Sequence, residues 1–146
     1  MKYILATMLL LVSLVADAVP VSKAGVVHDF KVLKVKDGDT VVMEAAFLPA
    51  PLKQELSIRI LGVDTPEKAP RAKCQSEADR GLAATEFTKK AVAGAKSIRV
   101  ELVDWDKFGG RVLGDVYLDG KRLSQLLIDN KLARPYHGEA KQSWCN

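Results

Sequence analysis

The sequence holds only two cysteines and two histidines in 146 residues, and that scarcity removes one family of functions. Cys74 and Cys145 show no C-x-x-C spacing, and His28 and His137 no H-x-x-x-H spacing, so these four residues do not read as a zinc site. No internal repeat and no low-complexity tract is present. Long apolar runs are missing too: the N-terminal one, residues 3–15, falls well short of the ~20 residues that cross a bilayer. It follows Lys2 and precedes Ala16-Asp17-Ala18, the small-x-small spacing of a signal-peptidase site. Residues 1–18 are therefore expected to be a signal peptide. Residues 19–146 are expected to form one domain, since a chain of this size buries a hydrophobic core once. Export to the periplasm or the medium follows, with no stable membrane association after cleavage. An even cysteine count in an exported chain argues for a Cys74–Cys145 disulfide. The net charge of +4 suits a polyanionic partner and equally suits ordinary solubility.

Strand composition occurs at residues 26–35, 40–47 and 56–63, the first two joined by the turn signal Asp37-Gly38-Asp39. In the third, alternation sends Ile58 and Ile60 to the core and Ser57, Arg59 and Leu61 to the other face. Ser76 offers an N-cap, and Ala84, Phe87 and Ala91 recur at helical spacing, which predicts an amphipathic helix over 77–94. Two strands follow at 97–103 and 112–118, then a short helix from about Leu123 to Asn130. The expected fold is mainly β with α: a five-stranded Greek-key barrel of the oligonucleotide-binding (OB) type. One helix lies between strands three and four and a short one after strand five; sandwiches of similar length share this order.

Three strings carry chemistry: Asp37-Gly38-Asp39-Thr40, Arg59 to Glu67 through Val63-Asp64-Thr65-Pro66, and Asp106-Lys107-Phe108-Gly109-Gly110-Arg111. A hard divalent cation takes oxygen ligands, and Asp39, Asp64 and the Thr65 main-chain carbonyl offer three. Phosphodiester hydrolysis builds negative charge on equatorial oxygens, which the planar fork of an arginine matches. Taken together and in this order, the strings resemble the staphylococcal nuclease (thermonuclease) family over about residues 31–136.

The resemblance implies a calcium-dependent nuclease acting on DNA and RNA with low sequence specificity, leaving 3′-phosphates, and a monomer is expected. It implies Arg59 and Arg111 as catalytic arginines and Glu67 as the glutamate that orients or deprotonates the attacking water. Lys107 and Tyr136 are candidate substrate contacts; a solvated lysine and a core or rim tyrosine are the plainer alternatives. Four features depart from the family pattern. Phe108 replaces a tyrosine, and Gly110 is an extra residue that a bulge must absorb before Arg111. The segment 45–55 is long, and too few residues follow Tyr136 for a full third helix. The rival reading is a non-catalytic OB-fold module that binds nucleic acid or protein, which has no need of Asp39, Asp64, Glu67, Arg59 and Arg111 together.

Overall fold

The computed structural model describes residues 27–28, 31–107 and 109–145; the leader expected at 1–18 and Phe108 lie outside them. The strands are β1 (Val27–His28), β2 (Val32–Asp37), β3 (Thr40–Glu44), β4 (Glu55–Ile60), β5 (Val63–Asp64), β6 (Ile98–Trp105), β7 (Val112–Leu118), β8 (Lys121–Arg122) and β9 (Arg134–Pro135). The helices are α1 (Gln75–Gly94) and α2 (Leu123–Asp129). No helix among the described residues is long and apolar enough to cross a membrane.

The main sheet runs β1-β6-β7-β4-β3-β2, with β8 paired to β7, and β5 and β9 form a separate pair. All pairings are antiparallel except β4 with β7. The described residues thus form a mixed, sheet-rich fold with two helices and no closed barrel. Several element bounds differ from the sequence expectation. The strand expected at 26–35 is divided into β1 and β2, and β2 runs on to Asp37. β3 stops at Glu44 instead of continuing to Phe47, and β6 extends to Trp105.

β4 packs as its alternation predicts. Ile58 and Ile60 are buried with Val41, Met43, Val63, Val100, Val116, Leu123 and Leu127, while Arg59 lies on the other face. Ile58 pairs with Val112 and Arg59 with Leu113. Gly114 on β7 lies close to both neighbours, since a Cβ there would sit 2.8 Å from the Glu101 carbonyl oxygen on β6 and 3.2 Å from the Ile58 side chain on β4.

α1 begins two residues earlier than Ser76 predicts, with Cys74 as N-cap and no side-chain capping bond from it. Glu77 does the capping instead: its buried carboxylate accepts the Lys73 N–H at 2.7 Å and the Glu67 N–H at 3.4 Å. That satisfies donors ahead of the helix and places an acid in the first turn, where the macrodipole favours it. Phe87 and Ala91 pack on the core as expected, but the most buried positions of α1 are small or polar: Gly81, Ala84, Thr85 and Thr88. The helix lies too close to the loops ahead of it for large side chains.

Candidate active site

The β2–β3 turn is held against α1 by contacts that leave no room for bulk. A Cβ on Gly38 would lie 2.8 Å from the Ala84 Cβ, and the Thr88 hydroxyl donates to the Gly38 carbonyl at 2.7 Å. Asp39, 4% exposed, is thereby fixed below the sheet end. Its Oδ2 accepts the Thr65 N–H at 3.0 Å and the Thr65 hydroxyl at 2.7 Å. Its Oδ1 accepts the Thr40 hydroxyl at 3.2 Å.

Arg59 stands opposite Thr40 in the β3–β4 register, which sets its guanidinium against the same turn. Nη1 pairs with Asp39 Oδ1. Nη2 donates to the Val63 carbonyl at 3.1 Å and lies 3.8 Å from Asp64 Oδ1. Burial pushes this guanidinium below its ordinary value and Arg111 adds to that, opposed by Asp64, Asp37 and Glu67. An arginine remains protonated through shifts of this direction near neutral pH.

Glu67 leaves the loop after β5 and pairs with Arg71, Nε to Oε2 at 3.0 Å, while Arg71 also donates to Asp37 Oδ2 at 2.8 Å. The loop lies directly on α1: a Cβ at Gly81 would fall 2.4 Å from the Glu67 carbonyl oxygen and 2.7 Å from the Lys68 nitrogen. Backbone cannot yield as a flexible side chain can. Gly81→Ala is therefore expected to destabilise the protein by about 1–3 kcal/mol through overpacking. A denaturant midpoint equal to wild type would show that the loop does not rest on the helix.

Arg111 leads into β7 and pairs with Asp106, Nε to Oδ2 at 2.7 Å, with Nη2 also on that oxygen. The extra glycine is absorbed in the turn itself, where Gly109 and Gly110 take φ of 69° and 67°. The Asp106 N–H donates to the Arg111 carbonyl at 3.0 Å, closing the turn. The sheet bulge lies on the partner strand, between Leu102 and Asp104. Exposed Lys107 and half-buried Tyr136 both line the cleft.

Asp64 is held by residues that no motif indicates. β9 pairs Arg134 with Asp64, and the described residues beyond Tyr136 form no helix but return as a strap across the site. The buried Trp144 indole donates to Asp64 Oδ2 at 3.0 Å, and the Arg134 guanidinium covers the Trp144 ring at 3.7 Å. Lys141 Nζ sits 2.6 Å from Asp64 Oδ1, an ion pair without hydrogen-bond alignment. Cys145 is bonded to Cys74 at the head of α1, with Cα atoms 6.0 Å apart.

Asp37, Asp39, Arg59, Glu67, Arg71, Lys107, Arg111, Tyr136 and Lys141 line one cleft of about 710 Å³, and Asp64 lines a smaller depression beside it. Asp37 Oδ1 and Asp64 Oδ1 are buried without a hydrogen bond; Lys141 takes up the charge at Asp64 Oδ1, whereas Arg71 meets Asp37 on its other oxygen. With Asp39 these are oxygen donors of the kind a hard divalent cation takes, but the three carboxylates do not close into one ligand cluster: among the described residues the group of three side chains whose ligand atoms lie within 4.8 Å of one another is Cys74, Glu77 and Cys145. No thiolate competes for that role, because the two cysteines are joined to each other.

Comparison with known proteins gives the same direction. Residues 57–144 match the family described as staphylococcal nuclease homologue, a span that includes Arg59, Asp64, Thr65, Glu67 and Arg111. The chain is 29% identical over 135 residues to a thermonuclease of Staphylococcus hyicus, covering 88% of this chain and 74% of that protein. With more than half of its length inside the family match and the acid and arginine strings in order, the chain belongs to the staphylococcal nuclease homologue family.

Proposed function

We propose that this protein is an exported, calcium-dependent nuclease that hydrolyses phosphodiester bonds of DNA and RNA with low sequence specificity and leaves 3′-phosphates. The observation that carries the reading is the convergence of carboxylates, Glu67 and two arginines on one cleft. The family match and the thermonuclease relative support a nuclease. Export is supported by the composition of residues 1–18 and by a disulfide, which persists in oxidising compartments. For the fold, we assign the five-stranded OB barrel on the path β2-β3-β4-β7-β6 with α1 between β4 and β6.

Asp39, Asp64 and the Thr65 carbonyl are the groups assigned to hold calcium, with Asp37 beside them. Bound there, calcium supplies positive charge toward a phosphate oxygen. Arg59 and Arg111 grip the phosphate oxygens on which charge grows as phosphorus becomes five-coordinate, and each leaves an acidic partner to do so. Glu67 orients the attacking water and accepts its proton. The new P–O bond forms as the P–O5′ bond breaks, a solvent proton passing to the departing oxygen. Lys107 and Tyr136 are assigned contacts to the strand on either side.

Calorimetric titration with calcium tests the metal assignment without reference to turnover. Asp39→Asn and Asp64→Asn are each expected to weaken binding about tenfold or more, by analogy with the cost of disturbing a metal's surroundings. Magnesium is expected to bind without supporting cleavage, because its octahedral demand suits this irregular set poorly. Full activity with magnesium alone, or calcium binding unaltered in both variants, would remove calcium from the account.

A further inference from the structure

The bulge in β6 has a local effect at the mouth of the cleft. Leu102 faces Gly114 and Asp104 faces Leu113, so Val103 has no counterpart on β7. Such a bulge re-aims the residues that follow it. Beyond it Trp105 pairs with Val112, next to Arg111 in the chain, and it lines the cleft with Arg59, Glu67, Lys107 and Arg111. There it is 67% exposed, whereas Trp144, the other tryptophan, is 7% exposed. Isolated exposed apolar side chains are ordinary. An indole held by a strand beside the cations assigned to the phosphate is placed as a nucleobase would require.

We propose that Trp105 is a nucleobase platform, on whose indole face stacks the base of a nucleotide adjoining the phosphate held by Arg59 and Arg111. The inference rests on the nuclease reading and extends it to the substrate's form. Every base has a π-face, so stacking of this kind is tolerant of sequence. Within a duplex both faces are already stacked, and extrusion of the base has to be driven from elsewhere. Trp105 therefore makes an unpaired strand the preferred substrate, and duplex is cut where ends fray.

The test uses the full mature protein and single-stranded oligothymidylate, intact or with one abasic position, in calcium. Wild-type cleavage of the intact strand is the control for the nuclease reading itself. Trp105→Ala is expected to raise KM for that strand roughly ten- to a hundredfold, the range of one base–aromatic stack. The loss falls in KM rather than kcat, and Trp105→Phe recovers most of it. In the turnover-deficient Glu67→Gln background, the strand should quench tryptophan emission, and the quench should disappear when Trp105 is also replaced by Phe. Wild type should prefer the intact strand to the abasic one, and Trp105→Ala should lose that preference. Equal weakening toward both strands would assign Trp105 to the backbone or to packing. An unaltered KM with a quench that persists in the Phe variant would overturn the platform while leaving the nuclease intact.

Discussion

Arg59→Ala is expected to lower kcat by on the order of 10³-fold or more, with a much smaller change in substrate affinity. The side chain reaches Asp39, the Val63 carbonyl and the neighbourhood of Asp64 from a largely buried position on β4. Its proposed task is to meet charge present only in the transition state, and an interaction of that kind appears in kcat. Loss of the cation also takes from buried Asp39 its ion-pair partner and leaves only hydrogen bonds from Thr40 and Thr65, so some destabilisation is expected as well. Arg59→Lys separates the two effects. It retains the positive charge beside Asp39 but loses the planar fork, and is expected to fold as wild type does while remaining far below it in rate. Arg111→Ala should follow the same pattern with less effect on folding, since Arg111 is more exposed and pairs chiefly with Asp106. Wild-type rates in both alanine variants would show that the phosphate is held elsewhere.

Breaking the Cys74–Cys145 bond is the change expected to cost the fold most. It closes a loop of 71 positions, for which chain entropy gives roughly 4 kcal/mol. For a domain of this size the melting temperature should fall on the order of 10–20 °C in Cys145→Ser, or in wild type under reductant. Loss of the bond also frees the strap, and with it the Trp144 N–H and Lys141 contacts to Asp64. Reduction should accordingly weaken calcium binding at temperatures where the protein is still folded. Differential scanning calorimetry and calcium titration, each with and without reductant, read the two effects separately. Coincident melts would mean that the bond does not restrain the chain as described.

The contrast between the two halves of the site explains what was legible in the sequence. Asp39, Arg59, Asp64, Glu67 and Arg111 stand in short strings whose order is informative, and alternation in 56–63 put Arg59 on the face away from Ile58 and Ile60. Asp37 belongs to the same string but reads as a turn residue. Only its burial and its unpaired Oδ1 draw attention to it. Thr65 was read through its carbonyl, yet its amide and hydroxyl fix Asp39. Of the strap only its Cys74–Cys145 anchor was legible; its hold on Asp64 was not, because Trp144 and Asp64 are 80 positions apart and no periodicity connects them. β1, β5, β8 and β9 are two residues each, too short for an alternation to register. On α1 the spacing of Ala84, Phe87 and Ala91 gave the buried face but not its small and polar members: Gly81 and Thr88 meet the backbone of the loops ahead of the helix, which hydrophobic spacing does not encode.

Phosphodiester cleavage requires the carboxylates, Glu67 and the two arginines to act together. Its most direct test is incubation of the purified mature protein with an end-labelled single-stranded oligonucleotide in calcium, then in excess chelator, with Glu67→Gln run alongside. Cleavage to 3′-phosphate fragments is expected in calcium, none above background in chelator, and a deep loss of rate in Glu67→Gln with its fold and calcium affinity retained. An intact oligonucleotide under all conditions, bound but uncut by a folded protein that takes up calcium, would contradict it and leave a binding module in its place.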